Sequence, residues 1–187
     1  QHFFPHLCTV PFSPMHRDFF DAERAHHPQR GRREATAAPR GHAKTTLRGF
    51  IQIIHDCVYT TEDFIVIFSN TATLAEDRVK QIRDELGENR ELHRIYGPQV
   101  GPVWNQGEFI TSRGVRVLAA SRGTQVRGLL ERGQRPTKIL LDDLENLENV
   151  QTQGQREKNA TWFFSDILKL GQPKTNVEAI GTLLHPE

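Results

Sequence analysis

The sequence predicts an α/β fold, a three-layer sandwich with a mainly parallel central sheet, and three observations predict it. Phe64-Ile-Val-Ile-Phe68 is a continuous β-branched and aromatic run, the pattern of a parallel strand covered on both faces. Ile139-Leu-Leu141 and Asn176 to Ile180 are two further short runs of strand character, the first ending in acids and the second at Gly181. Between these runs lie stretches whose apolar residues recur at helical spacing, so strands alternate with helices.

The other elements follow in order. Ser13 to His27 reads as a helix, with Ser13 as its cap and Met15, Phe19, Phe20 and Ala22 as apolar contacts. Gln29 to Arg33 is a basic, glycine-containing connection, and Glu34 to Ala38 is a short strand feeding the loop beyond it. Thr46 to Val58 is a helix whose Leu47, Phe50, Ile51, Ile53 and Ile54 form a broad buried face. Ala72 to Leu86 is a helix closed by Gly87, with Leu74, Val79, Ile82 and Leu86 inward. Glu108 to Thr111 and Val115 to Ala120 flank Ser112-Arg113-Gly114 as a β-hairpin, and Arg156 to Leu170 is a helix ending at Gly171.

With 187 residues the chain is long enough for a substantial core, and 36% hydrophobic against 25% charged residues is ordinary for a globular protein. No apolar run approaches the ~20 residues a membrane span needs, and nothing at the start reads as a secretory signal. Cys8 and Cys57 stand far apart in no CxxC arrangement, which predicts no disulfide framework and a reducing compartment. The net charge of +1 says nothing about a polyanionic partner, but its distribution is uneven. Seven arginines from Arg17 to Arg48, Arg24, Arg30, Arg32, Arg33 and Arg40 among them, load the first quarter. They are read as a solvated surface around a phosphate site ahead of a nucleic-acid contact patch. Six of the nine histidines precede position 43, but no pair has zinc-finger spacing.

Chemistry concentrates in Ala38-Pro-Arg-Gly-His-Ala-Lys44-Thr45-Thr46, after a strand and at the opening of a helix. Polyphosphate is densely negative, and a compact loop at a helix N-terminus offers it backbone N–H groups. In a P-loop built this way Lys44 reaches the β and γ phosphates of ATP and the Thr45 hydroxyl ligates Mg²⁺. Alanine replaces glycine at Ala38 and Ala43; a positive φ at Ala43 would cost ~1–2 kcal/mol, and helical dihedrals almost nothing. A second signal is Ile139-Leu-Leu-Asp142-Asp143-Leu-Glu145, an apolar strand carrying carboxylates to its C-terminal end, where open α/β sheets bind ligands. Asp142 suits the Mg²⁺ shell, and Asp143 or Glu145 suits the attacking water. The third is Val177-Glu-Ala-Ile180-Gly181-Thr182, a strand running into a small polar turn. Together they predict a P-loop NTPase of the ASCE type.

The three signals in this order resemble the ATPase domain of the large terminase subunit, the DNA-packaging motor of tailed bacteriophages. Phe12-Ser-Pro-Met15-His16 is similar to the family's segment beside the adenine, and Pro39-Arg40-Gly41-His42-Ala43-Lys44-Thr45-Thr46 to its variant Walker A motif. Phe68-Ser-Asn-Thr71 with Ala75 resembles the family's next strand and turn, and Val126-Arg127-Gly128, then Arg135-Pro136 and Leu141 to Glu145, the stretch into Walker B. Gly181-Thr182 with His185 resembles the coupling motif.

The resemblance implies one ATPase domain over 1–187, with 1–32 on the adenine side and 33–187 the nucleotide-binding core. It implies ATP and Mg²⁺ as cofactors and an N-terminal fragment whose nuclease domain follows residue 187. It also implies double-stranded DNA, a portal protein and a small terminase subunit as partners, a ring on assembly and a monomer in isolation. The setting is the host cell cytoplasm, with no membrane and no place in the mature virion. Arg40 becomes a γ-phosphate clamp, Thr182 the coupling residue, and Arg127 an arginine finger for a neighbouring subunit, with a local surface salt bridge as its alternative. Two other readings stay open: a helicase-like translocase on the same core, and a non-hydrolysing nucleotide switch with a degenerate loop.

Overall fold

The computed structural model describes residues 2–26, 29–122, 134–144 and 150–182. Helix α1 (Pro14–His26) opens on a reciprocal cap: His16 N–H donates to Ser13 Oγ at 3.4 Å, and Ser13 N–H donates to His16 Nδ1 at 3.2 Å. Strand β1 (Arg33–Ala37) follows, then a loop, then α2, which starts as a π-helical Thr45–Ile51 and continues as an α-helical Gln52–Tyr59. Strand β2 (Phe64–Ser69) leads to α3 (Ala72–Glu88) and α4 (Arg90–Tyr96). Strands β3 (Val100–Trp104), β4 (Glu108–Thr111) and β5 (Arg116–Ser121) come next, then β6 (Lys138–Asp142). Helix α5 runs through Gln153–Trp162, a π-helical Phe163–Ile167 and Leu168–Leu170, and β7 (Asn176–Gly181) ends the described fold.

The seven strands lie in the order β1-β7-β6-β2-β5-β4-β3. The pairings from β1 to β5 are parallel, and β4 and β3 add antiparallel at one edge. The chain is therefore an α/β fold with a mixed, mostly parallel sheet flanked by helices. Every residue of β2 is buried, as its unbroken apolar run requires. Ile65 and Ile67 point to one face, packing with Ile53 and Ile54 of α2 and Val79 and Ile82 of α3. Phe64, Val66 and Phe68 point to the other, against Ile167 and Leu170 of α5. Each such side chain contributes ~1.5–3 kcal/mol on leaving water. No helix among the described residues is long and apolar enough to cross a membrane.

Three local expectations fail. Gly87 does not close α3: the helix runs on to Glu88 and stops at Asn89, whose Oδ1 accepts from Leu92 N–H at 3.0 Å to start α4. Gly87 instead clears space for a ring, since a Cβ there would meet Trp104 Cζ2 at 3.4 Å. Leu74 is 55% exposed, because Ala75 takes the inward position of that turn. Helix α5 starts before Arg156, at a capping box between Thr152 and Gln155.

The largest correction concerns the arginines. Arg32 and Arg48 are not solvated surface. Arg48, 5% exposed, sets Nε 2.7 Å from Glu178, one terminal nitrogen 2.9 Å from Glu34 and the other 3.0 Å from Glu23. Arg32 pairs with Glu23 at 3.2 Å. Lys138 Nζ, also buried, lies 2.7 Å from Asp56 and 3.5 Å from Glu178. One network thus joins α1, β1, α2, β6 and β7, and removing a partner strands the others in a poorly solvated interior. Arg48→Ala is predicted to lower the unfolding free energy by about 3–5 kcal/mol, read by urea denaturation. Burial works to raise the Asp56 carboxyl, but Lys138 outweighs it and holds Asp56 well below the ordinary carboxylate range. A depressed folded value means stability present above the unfolded pKa, about 4, and lost as pH falls below it. The stability advantage over Asp56→Asn should hold down to about pH 4 and shrink in more acid solution.

Candidate functional site

Strands β1, β7 and β6 lie side by side and parallel, so the segments leaving their C-terminal ends meet at one edge of the sheet. Ala38 N–H donates to the Gly181 carbonyl at 3.2 Å, joining the loop after β1 to the end of β7. Gly41 (φ 78°) and Ala43 (φ 54°) are both left-handed, and Lys44 (φ −53°, ψ −49°) turns right-handed into α2. Such alternation aims successive backbone N–H groups into a shared concavity suited to anions. At Ala43 the left-handed backbone costs ~1–2 kcal/mol, a strain that glycine would relieve. No side chain caps the start of α2, which leaves its first N–H groups for a ligand. Two histidines brace the loop: His42 Nδ1 donates to the Arg40 carbonyl at 3.0 Å, and His16 Nε2 donates to the His42 carbonyl at 3.1 Å.

Lys44 is 6% exposed, and its Nζ donates to Thr182 Oγ1 at 2.9 Å. Among the described residues no carboxylate stands within salt-bridge distance of it, in contrast to Arg48 and Lys138. Among the described residues, this buried ammonium faces a neutral hydroxyl: it has lost its water and gained no opposite charge.

Beside it, Thr45 Oγ1 donates to Asp142 Oδ1 at 3.2 Å, and Arg78 Nε donates to Asp142 Oδ2 at 3.1 Å. Gly49 allows the approach, since a Cβ there would sit 3.1 Å from Ile180 Cδ1 and 3.8 Å from Asp142 Oδ2. Burial raises the Asp142 carboxyl above its ordinary value and Asp143 adds to this, against Arg78 and the Thr45 hydrogen bond. Asp143 is exposed and left-handed (φ 46°), with its N–H donating to the Ile180 carbonyl at 3.0 Å. A cavity of about 300 Å³ opens there, walled by Ala37, Asp143, Phe163, Gly181 and Thr182. A larger one, about 830 Å³, lies between α1 and α2 behind Phe19, Leu47, Ile51 and Tyr59. Its buried arginine, Arg48, is already matched by three carboxylates and has nothing to offer a phosphate.

Of the residues singled out by sequence, Lys44, Thr45, Asp142 and Thr182 come together, with Asp143 on the adjoining cavity and His16, Gly41, His42 and Ala43 shaping the loop. Pro39 and Arg40 are exposed, and the Arg40 side chain has no partner among the described residues. Met15 and Thr46 are half-buried. Glu145, Arg127 and His185 lie outside the described residues. Arg78 is the residue of this cluster that sequence reasoning missed. Its signal was positional: it follows the inward Ala75 by three residues and precedes the inward Ile82 by four, in a helix that leaves the strand beside β6.

The hydroxyl and carboxylate of Thr45 and Asp142 are hard oxygen donors, the set a Mg²⁺ carried by a polyphosphate requires, with water filling the rest. Compared with known proteins, the chain matches no family model, and no curated protein matches it significantly. The buried, unmatched charge makes a prediction free of any function. Lys44→Met, which keeps the stem and removes the ammonium, should raise the ligand-free unfolding free energy by about 1–2 kcal/mol in urea. A loss of stability instead would mean that the ammonium is compensated in place.

Proposed function

We propose that this chain is an ATP-hydrolysing P-loop domain. One observation carries the reading: a buried lysine without a carboxylate partner among the described residues, at the uncapped start of a helix, one residue from a threonine hydrogen-bonded to a buried aspartate. A polyanion with its metal satisfies the loop N–H groups, Lys44, Thr45 and Asp142 at once. The interposed β7 supports it further, because it sets Thr182 between the loop-bearing and acid-bearing strands.

In this reading the loop and Lys44 hold the β and γ phosphates, and Thr45 and Asp142 hold Mg²⁺, which neutralises charge building on the transferred phosphoryl group. Asp143, outward and beside the cavity, orients the attacking water and accepts its proton, with Glu145 the alternative. Arg40, exposed and without a side-chain partner among the described residues, closes over the γ-phosphate. When Lys44 turns to phosphate, Thr182 loses its donor, so the end of β7 registers occupancy. The order of motifs described above extends the proposal to the motor of a terminase large subunit, acting on double-stranded DNA in a ring, with Arg127 supplied to the neighbour's site.

Lys44→Ala should lose ATP binding, read by calorimetry, and with it hydrolysis; parental turnover in that variant sinks the assignment. Asp143→Asn should keep ATP binding and lose about 10²–10⁴ in rate, while Glu145→Gln changes little. The reverse outcome moves the base to Glu145. For the ring, activity should rise faster than linearly with protein concentration, and Arg127→Ala mixed with Lys44→Ala should recover part of it. Linear activity with full turnover in Arg127→Ala means that one chain completes the site.

A further inference from the structure

Asp142 is 5% exposed, and both its oxygens are taken, yet the two partners differ in what they permit. The Thr45 hydroxyl gives its hydrogen to Oδ1 and keeps its lone pairs for a metal, so that bond survives metal entry. The Arg78 guanidinium on Oδ2 does not share a carboxylate comfortably with a divalent cation, because two like charges then stand a few ångströms apart. Arg78 also has somewhere to go. Its side chain is 25% exposed, and one terminal nitrogen already donates to Gln81 Oε1 at 3.0 Å along the same helix. Asp142 without any cation would be a buried, uncompensated carboxylate next to a second acid, Asp143.

We propose that Arg78 is an internal counter-cation, a positioning residue that holds the Asp142 carboxylate ready in the metal-free protein and yields Oδ2 when a divalent cation arrives. The proposal rests on the reading of Thr45 and Asp142 as the metal shell. Arg78 makes the empty site tolerable and keeps the carboxylate aimed at Thr45. It also sets the metal affinity, since each cation entering must displace it. Loading therefore favours a metal arriving with phosphates, whose negative charge receives the released guanidinium, over a free metal ion.

The test uses metal alone, without nucleotide. Mn²⁺ is titrated into the isotope-labelled chain, and broadening of the Thr45 and Asp142 amide signals is followed. Arg78→Gln should reach half-broadening at about tenfold less Mn²⁺ than the parent, the effect of one like charge a few ångströms away under near-aqueous screening. Arg78→Lys, which keeps the charge, should stay near the parent, and Asp142→Asn should abolish the effect in either background. Equal or weaker Mn²⁺ binding in Arg78→Gln overturns the proposal, as does broadening that survives Asp142→Asn. Should Arg78→Gln not fold, the parental chain decides: with Mg²⁺, the Arg78 Nε–H signal should move along with that of Thr45. An Arg78 signal that stays fixed throughout overturns it. Failure of ATP to bind the parental chain would instead sink the nucleotide reading, on a separate measurement.

Discussion

The hydrogen bond from Lys44 to Thr182 spans the whole site, from the helix after β1 to the end of β7, and the surrounding arrangement depends on its being made between a charge and a neutral group. The fold matches its other buried cations. Arg48 has three carboxylates and Lys138 two, all set into the same face of the sheet and its covering helices. Among the described residues the nearby acids turn elsewhere, Asp142 to Thr45 and Arg78 and Asp143 to the cavity, and leave an electrostatic vacancy beside Lys44.

That vacancy requires a rigid foundation, and the ion network supplies it. Arg48 stands one helical turn beyond Thr45 and Lys44, so the carboxylates that clamp it also fix the start of α2 against β1 and β7. Gly49, the next residue, brings the helix down onto Ile180 and Asp142. Foundation and site are thus consecutive faces of one helix. A disturbance of the network should be felt at Thr45 before it is felt at the far edge strands β3 and β4.

The legible parts of the fold were those in which pattern and burial coincide. Strand β2 is apolar from Phe64 to Phe68 because both faces are covered, and the apolar centre of β6 and the short run of β7 read clearly because they are buried beside it. Edge strand β3 did not, since Val100-Gly-Pro-Val-Trp104 carries the interruptions an edge tolerates and a pattern search rejects. Helix α4 is too short for periodicity to speak. In the site, Lys44, Thr45, Asp142 and Thr182 were legible because each sits at the junction of a strand or helix with a turn. Arg78 was not, because its partner lies 64 residues away and only sheet order brings them together. The arginines of the first quarter were misread for a related reason. Composition counts charges but not the acids that tertiary structure lays against them, and Glu178 comes from the last strand.

The tandem acids show how a strand end can divide labour between neighbours. Successive side chains on a strand point to opposite faces, so Asp142 and Asp143 could not serve one metal from a continuing strand. Strand β6 ends at Asp142, which keeps the inward direction towards α2. At Asp143 the backbone turns left-handed, a conformation aspartate bears more readily than most residues, while its N–H stays tied to the Ile180 carbonyl. The carboxylate is thereby swung from the sheet face into the open space over Gly181, where a Cβ would come within 3.8 Å of Oδ1. One acid is left buried and charge-compensated, and the next exposed to solvent, separated by a single peptide unit. In the proposed ATPase, that contrast of environments, rather than the mere count of carboxylates, would suit one to ligation and the other to contact with water.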